Sequence, residues 1–108
     1  MTMSKYLFEA NYVGEGIKGL MREGGTSRRE ALDTALKSLG GSVDCFYYTF
    51  GETDVLGVIE VPEPSDAAAL SLMVNSTGSV NVRLRPLLTV EDLDAAAKKT
   101  PTYRAPGQ

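Results

Sequence analysis

Phe46-Tyr47-Tyr48-Thr49-Phe50-Gly51-Glu52-Thr53-Asp54-Val55-Leu56-Gly57-Val58-Ile59-Glu60-Val61 decides the fold of this chain. Two runs rich in aromatic and β-branched residues flank the polar segment from Gly51 to Asp54. Such side chains suit a pleated, half-buried surface, and Gly with Asp supplies a turn, so the stretch predicts a β-hairpin. Its strands run over Ser42–Phe50 and Asp54–Val61. Alternation along a strand sends Tyr47 and Tyr48 to opposite faces.

Upstream of the hairpin, Lys5–Val13 predicts a first strand, with Tyr6, Phe8, Ala10 and Tyr12 on one face and Leu7, Glu9, Asn11 and Val13 on the other. Ile17, Leu20 and Met21 then recur with helical spacing until Gly24-Gly25. Thr26 or Ser27 is placed to cap a second helical segment, with Glu30 as the capping-box acid. Its apolar stripe is Ala31, Leu32, Ala35, Leu36 and Leu39, and Arg28, Arg29, Asp33 and Lys37 point away from it. Downstream, Pro62-Glu63-Pro64 ends the sheet run. Ser65 is expected to cap a helix over Asp66–Asn75, with Ala68, Leu72 and Met73 toward the core. Ser79–Leu88 predicts a fourth strand, Val80, Val82 and Leu84 alternating with Asn81, Arg83 and Arg85, and Pro86 marks an edge or an end. Thr89 caps a last helix over Val90–Lys98, with acids in its first turn and lysines in its last, as the helix dipole favours. Residues 1–99 read as one domain and 100–108 as a tail, disordered or lying on a partner.

Composition narrows the function. In 108 residues, 43% are hydrophobic and 23% charged, which suits one globular domain with a core that needs no metal or disulfide. A net charge of −3 offers no basic patch for nucleic acid and no attraction to anionic membranes. The chain has no His and one Cys, Cys45. That removes the commonest metal ligand and the usual general base, along with any internal disulfide or multi-cysteine metal site. We therefore expect no cofactor and no metal. No apolar run is long enough for a signal peptide or a membrane span, and the expected location is the cytoplasm.

The predicted order is β-α-β-β-α-β plus a C-terminal helix. This is an α+β, ferredoxin-like arrangement: a four-stranded antiparallel sheet with both main helices on one face. The other face then carries Leu7, Leu56 and Val58 beside Glu9, Glu60, Asn81, Arg83 and Arg85, a half-apolar surface suited to self-association. In Leu39-Gly40-Gly41, Phe46–Asp54, Val58-Ile59-Glu60-Val61-Pro62, Gly78-Ser79-Val80 and Arg85-Pro86-Leu87-Leu88-Thr89 the chain resembles the GYD domain family of small bacterial proteins. The resemblance runs from about Lys5 to Leu93. The naming motif, Gly-x-Tyr-Asp, stands here as Gly51-Glu52-Thr53-Asp54, with Thr53 in the tyrosine's place. The family is similar to dimeric α+β-barrel proteins, and its members mostly lack an assigned activity. The resemblance thus implies a fold and a dimer rather than a reaction.

No residue stands out as catalytic. Glu52 and Asp54 read as an acid/base pair or half of a cation site, or as turn chemistry; a metal would draw on further carboxylates such as Asp44 or Glu9. Tyr48 reads as a pocket hydrogen-bond donor or as strand packing. Arg83 and Arg85, two apart on one face, read as a clamp for a carboxylate or phosphate, or as partners of Glu9 and Glu60. Gly14, Gly16 and Gly19 meet a phosphate-loop spacing but lack the parallel strand-helix-strand unit that gives it meaning. Two function classes follow. One is a self-associating domain that binds a small organic or anionic ligand. The other is a cofactor-independent enzyme, monooxygenase- or isomerase-like, using a cavity between sheet and helices. A chamber lined by Tyr and Arg favours the enzyme, and a filled interior favours the first class. A regulatory module with a protein partner rests on the tail alone.

Overall fold

The computed structural model describes residues 3–49 and 51–108; Phe50 of the predicted second strand lies outside them. The elements are β1 (Ser4–Tyr12), α1 (Gly16–Glu23), α2 (Gly25–Ser38), β2 (Ser42–Tyr48), β3 (Val55–Val61), α3 (Pro64–Ser76), β4 (Val80–Pro86) and α4 (Val90–Ala97). The strands form one antiparallel sheet in the order β2-β3-β1-β4. The fold is therefore α+β with a ferredoxin-like arrangement, as the sequence predicts.

The core lies between one sheet face and the helices. Tyr6, Phe8 and Ala10 of β1, Val55, Ile59 and Val61 of β3, and Val82 of β4 meet Leu32 and Leu36 of α2 and Ala67 and Leu70 of α3. Leu36 and Ile59 are fully buried, and each contributes about 1.5–3 kcal/mol of transfer free energy. The opposite face is open and carries Lys5, Leu7, Glu9 and Asn11 beside Leu56, Val58 and Glu60. Register sets Leu7 opposite Val58 and Arg85, and Glu9 opposite Leu56 and Arg83.

A bulge interrupts β2. Val43 pairs with Ile59 and Cys45 with Val58, leaving Asp44 as the extra residue. The bulge shifts the alternation by one, so Val43, Phe46 and Tyr48 all lie toward the helices while Cys45 and Tyr47 lie on the open face.

Three sequence expectations are corrected. The helical region breaks at Gly24, whose φ of 84° suits glycine, and α2 begins there without a side-chain cap; Ser27 instead donates to Glu23 at 3.3 Å. In α3, Pro64 takes the first helical position, where its missing N–H costs nothing. The Asp66 carboxylate accepts the Glu63 N–H at 3.0 Å, so the helix starts before Ser65. It buries Ala67 and Leu70 and leaves Leu72 and Met73 exposed at 73% and 69%. The inward stripe is Ala67, Leu70 and Val74, one residue out of phase with the expected one. Thr89 caps α4 as predicted, accepting from the Asp92 N–H while the Asp92 carboxylate accepts from the Thr89 N–H, both at 3.0 Å.

Candidate functional site

The sheet and α2 do not close completely over each other. Ala10 on β1 and Ala31 and Ala35 on α2 are too short to fill the space between Phe8, Phe46, Val55 and Leu70, and an apolar chamber of about 90 Å³ remains. Tyr12, Arg28 and Val80 lie at one end of it. The same three residues line an outer, more polar cleft of about 380 Å³ that also includes Arg22, Glu15, Glu23, Thr77 and Ser79. Chamber and cleft thus share a boundary formed by a phenol, a guanidinium and a valine. Arg28, expected to point away from the core, lies at this boundary because it sits one turn before Leu32 on the inward side of α2. Its only carboxylate contact among the described residues is Glu23 at 3.7 Å.

Tyr48 flanks this site. Its ring meets Phe46 edge-on, with centroids 5.2 Å apart, and Arg29 lies 5.8 Å above the other ring, that of Phe46. The Tyr48 hydroxyl donates to the Gly25 carbonyl at 2.8 Å. Partial burial, then the neighbouring Tyr12 phenol, raise its pKa above the ordinary 10.0, against a smaller opposing pull from Arg28. Tyr48 therefore keeps its proton at neutral pH and serves as a donor.

Arg83, Arg85 and Glu9 lie elsewhere, together on the open face. Arg85 pairs with Glu9 at 3.2 Å, and Arg83 donates to the Asn11 side-chain carbonyl at 3.0 Å. Glu60 pairs with Lys5 at 3.2 Å, and the same ammonium bonds Asp44 at 2.6 Å. Hydrogen bonds to Asp44 first and Glu60 second raise the Lys5 pKa. Sequence spacing brought Tyr48 and the arginines into one candidate list; the fold puts them on opposite sides of the sheet.

The turn motif works as a buckle to β1. The Asp54 carboxylate accepts the Tyr12 N–H at 2.9 Å, and the Asp54 N–H donates to the Ala10 carbonyl at 2.9 Å. The Glu52 carbonyl accepts from the Asn11 amide at 2.8 Å. The Thr53 hydroxyl, where the family motif has tyrosine, lies 3.5 Å from Glu9. Gly51 is followed by this network, with its own φ at 152°. Glu52 and Asp54 do not face each other across a reacting site, and among the described residues no three of His, Cys, Asp and Glu converge as metal ligands.

Sequence reasoning missed Tyr12, Arg28, Ala31 and Ala35 as site residues. The available signal was a run of alanines on the inward stripe of α2, facing Ala10: small residues across from one another leave room.

No described helix is long and apolar enough to cross a membrane. Comparison with curated proteins and with solved structures gives no match. The family model of the GYD domain matches residues 6–97, from Tyr6 of β1 to the end of α4. With that span covering most of its 108 residues, the chain belongs to the GYD domain family.

Proposed function

We propose that this domain is a self-associating cytoplasmic protein that binds a small organic molecule between α2 and the sheet. The ligand places a short apolar group in the chamber and an anionic or hydrogen-bonding head in the outer cleft. The observation that carries this reading is the boundary formed by Tyr12 and Arg28 between an apolar chamber and a polar cleft. Ligand pockets combine apolar walls with a few placed polar groups in this way. A cavity that admits benzene measures ~150 Å³, so the 90 Å³ chamber fits a short aliphatic group rather than a ring.

Self-association is supported by the open face, where Leu7, Leu56, Val58 and Tyr47 adjoin without a helix over them. Tyr47 is 67% exposed, which is high for an aromatic ring beside two aliphatic neighbours.

The enzyme is the second reading, favoured by the presence of Tyr12 and Arg28 at the chamber. It ranks second because no carboxylate lines the chamber, so no carboxylate there is placed as a base.

The test is thermal stability and calorimetry with a series of short-chain carboxylates and the matching alcohols. Wild type should gain melting temperature with a carboxylate of matching length and much less with the alcohol. Arg28→Leu should lose that preference, and Ala35→Leu, which fills the chamber, should lose the response to both. A response unchanged in both variants would exclude this site.

A further inference from the structure

We propose that α4 docks on the open sheet face of a second copy of this chain, in a reciprocal two-fold pair, with its carboxylates against Arg83 and Arg85. The proposal rests on the self-association inferred above and names the segment that makes the contact.

The Leu87 N–H still donates to the Lys5 carbonyl at 2.9 Å, and the C-terminal arm, residues 88–108, leaves the body after it. A compact chain of this length has a radius of gyration of about 13 Å; this one has 16.9 Å. No residue of α4 is buried, and it shares no extensive contact with another element. Its apolar stripe is Val90, Leu93 and Ala97, with Val90 and Leu93 exposed at 74% and 62%. Isolated helices shorter than about 12–15 residues are marginal in water, and α4 has eight. A capping box steadies its first turn, but an amphipathic helix of this length is held mainly by what its apolar face covers.

Charge selects the partner surface. Glu91 and Asp94 make no ion pair among the described residues, whereas Asp92 is engaged at the cap. The outward face of α3 offers apolar Leu72 and Met73, yet Pro64–Ser76 has no Lys or Arg and carries Asp66 in its first turn. Arg28 and Arg29 of α2 each have a carboxylate, Glu23 and Asp33. The open sheet face combines both requirements. Leu7 and Val58 adjoin there, Arg85 is 71% exposed beside Glu9, and Arg83 bonds a neutral amide rather than a carboxylate. Glu9 and Glu60 share that face but are each held by a cation of the same chain, Arg85 and Lys5, so Arg83 is left for a carboxylate of an acidic helix whose apolar stripe meets Leu7 and Val58. A stable interface covers about 800 Å² on each partner, more than one eight-residue helix provides, so the reciprocal arrangement with two arms and the adjoining sheet faces is the one that suffices.

The test uses the full chain with light scattering after size exclusion, and circular dichroism as a check on folding. Wild type is expected to be a dimer. Arg83→Glu makes the face repel the arm, and Glu91→Lys with Asp94→Lys makes the arm repel the face. Each variant alone should dissociate at least about tenfold more readily. Mixed one to one, they should restore the dimer, because each then presents what the other lacks; an arm folded on its own sheet predicts no such rescue. Arg83→Gln, and a chain ending at Leu88, serve if Arg83→Glu does not fold, and both should weaken the dimer. A wild-type monomer would remove the proposal and the self-association together. A dimer unaffected by the charge variants and the truncation, or a mixture that stays monomeric, would overturn the arm contact alone.

Discussion

Asp54 decides how β1 and the hairpin turn hold together. Its carboxylate accepts the half-buried Tyr12 N–H, and hydrogen bonds to charged groups contribute about 1.5–3 kcal/mol. Asp54→Ala is expected to lose that amount, read as a lower urea midpoint with unchanged slope. Tyr48→Phe loses only a neutral bond to the Gly25 carbonyl, about 0.5–1.5 kcal/mol at pH 7. The Tyr48 pKa is raised in the folded chain, so its contribution is complete below the unfolded value of 10.0 and is lost as pH rises through the folded one. Urea midpoints of the two proteins should therefore converge above pH 10. Divergence there would mean that the phenol is not the group responsible. Asp54 as turn chemistry was legible in the sequence, since Asp after Gly in a hairpin loop has that role routinely. The bond to Tyr12 was not, because it joins residues far apart in the chain.

Among the elements, β3 shows how tightly the sheet is drawn. A Cβ added at Gly57 would lie 2.5 Å from the Cys45 carbonyl oxygen and 3.3 Å from the Phe46 Cα. Both are backbone atoms that cannot rotate aside. Gly57→Ala should cost about 1–3 kcal/mol, and retention of the wild-type melting temperature would show that β2 gives way. The hairpin, the helix break at Gly24-Gly25 and the cap at Thr89 were readable, because composition and short spacing determine them. The phase of α3 was not. Ala67, Ala68 and Ala69 are interchangeable by pattern, and Leu70, Leu72 and Met73 permit two stripes. The helix starts at Pro64, two residues before the expected Asp66, and the face it lays on the sheet carries Ala67 and Leu70. The chamber was equally hidden: alanines read as helix formers until the fold sets Ala10 across from Ala31 and Ala35.

For the whole molecule, the pair Arg85–Glu9 reports whether the open face is covered. Arg85 is 71% exposed in the single chain and Glu9 18%. An exposed pair contributes ~0–1 kcal/mol, while breaking a covered one costs about 3–5 kcal/mol. Under the proposed association, Arg85→Leu is expected to show the larger loss, with a melting temperature that falls further on dilution than wild type's. A small loss independent of concentration would mark the face as free. Zero His and one Cys leave carboxylates and phenols as the strong side-chain ligands, which suit hard cations. Elemental analysis of untagged protein should find no stoichiometric zinc, iron or copper. The sheet's composition announced a half-apolar face; that the arm stands off the body with no buried residue in α4 needed the fold.

The extra residue at Asp44 also bears on how copies of this chain avoid one another. β2 and β4 are the rims of the sheet, where unpaired backbone groups invite strand-by-strand growth. On β2 the bulge breaks the regular donor and acceptor row midway, and on β4 Pro86 withholds a donor at the end. Lateral stacking of sheets into ribbons is thereby discouraged on both rims. The self-association proposed above would then use the open sheet face, which closes on itself after two copies.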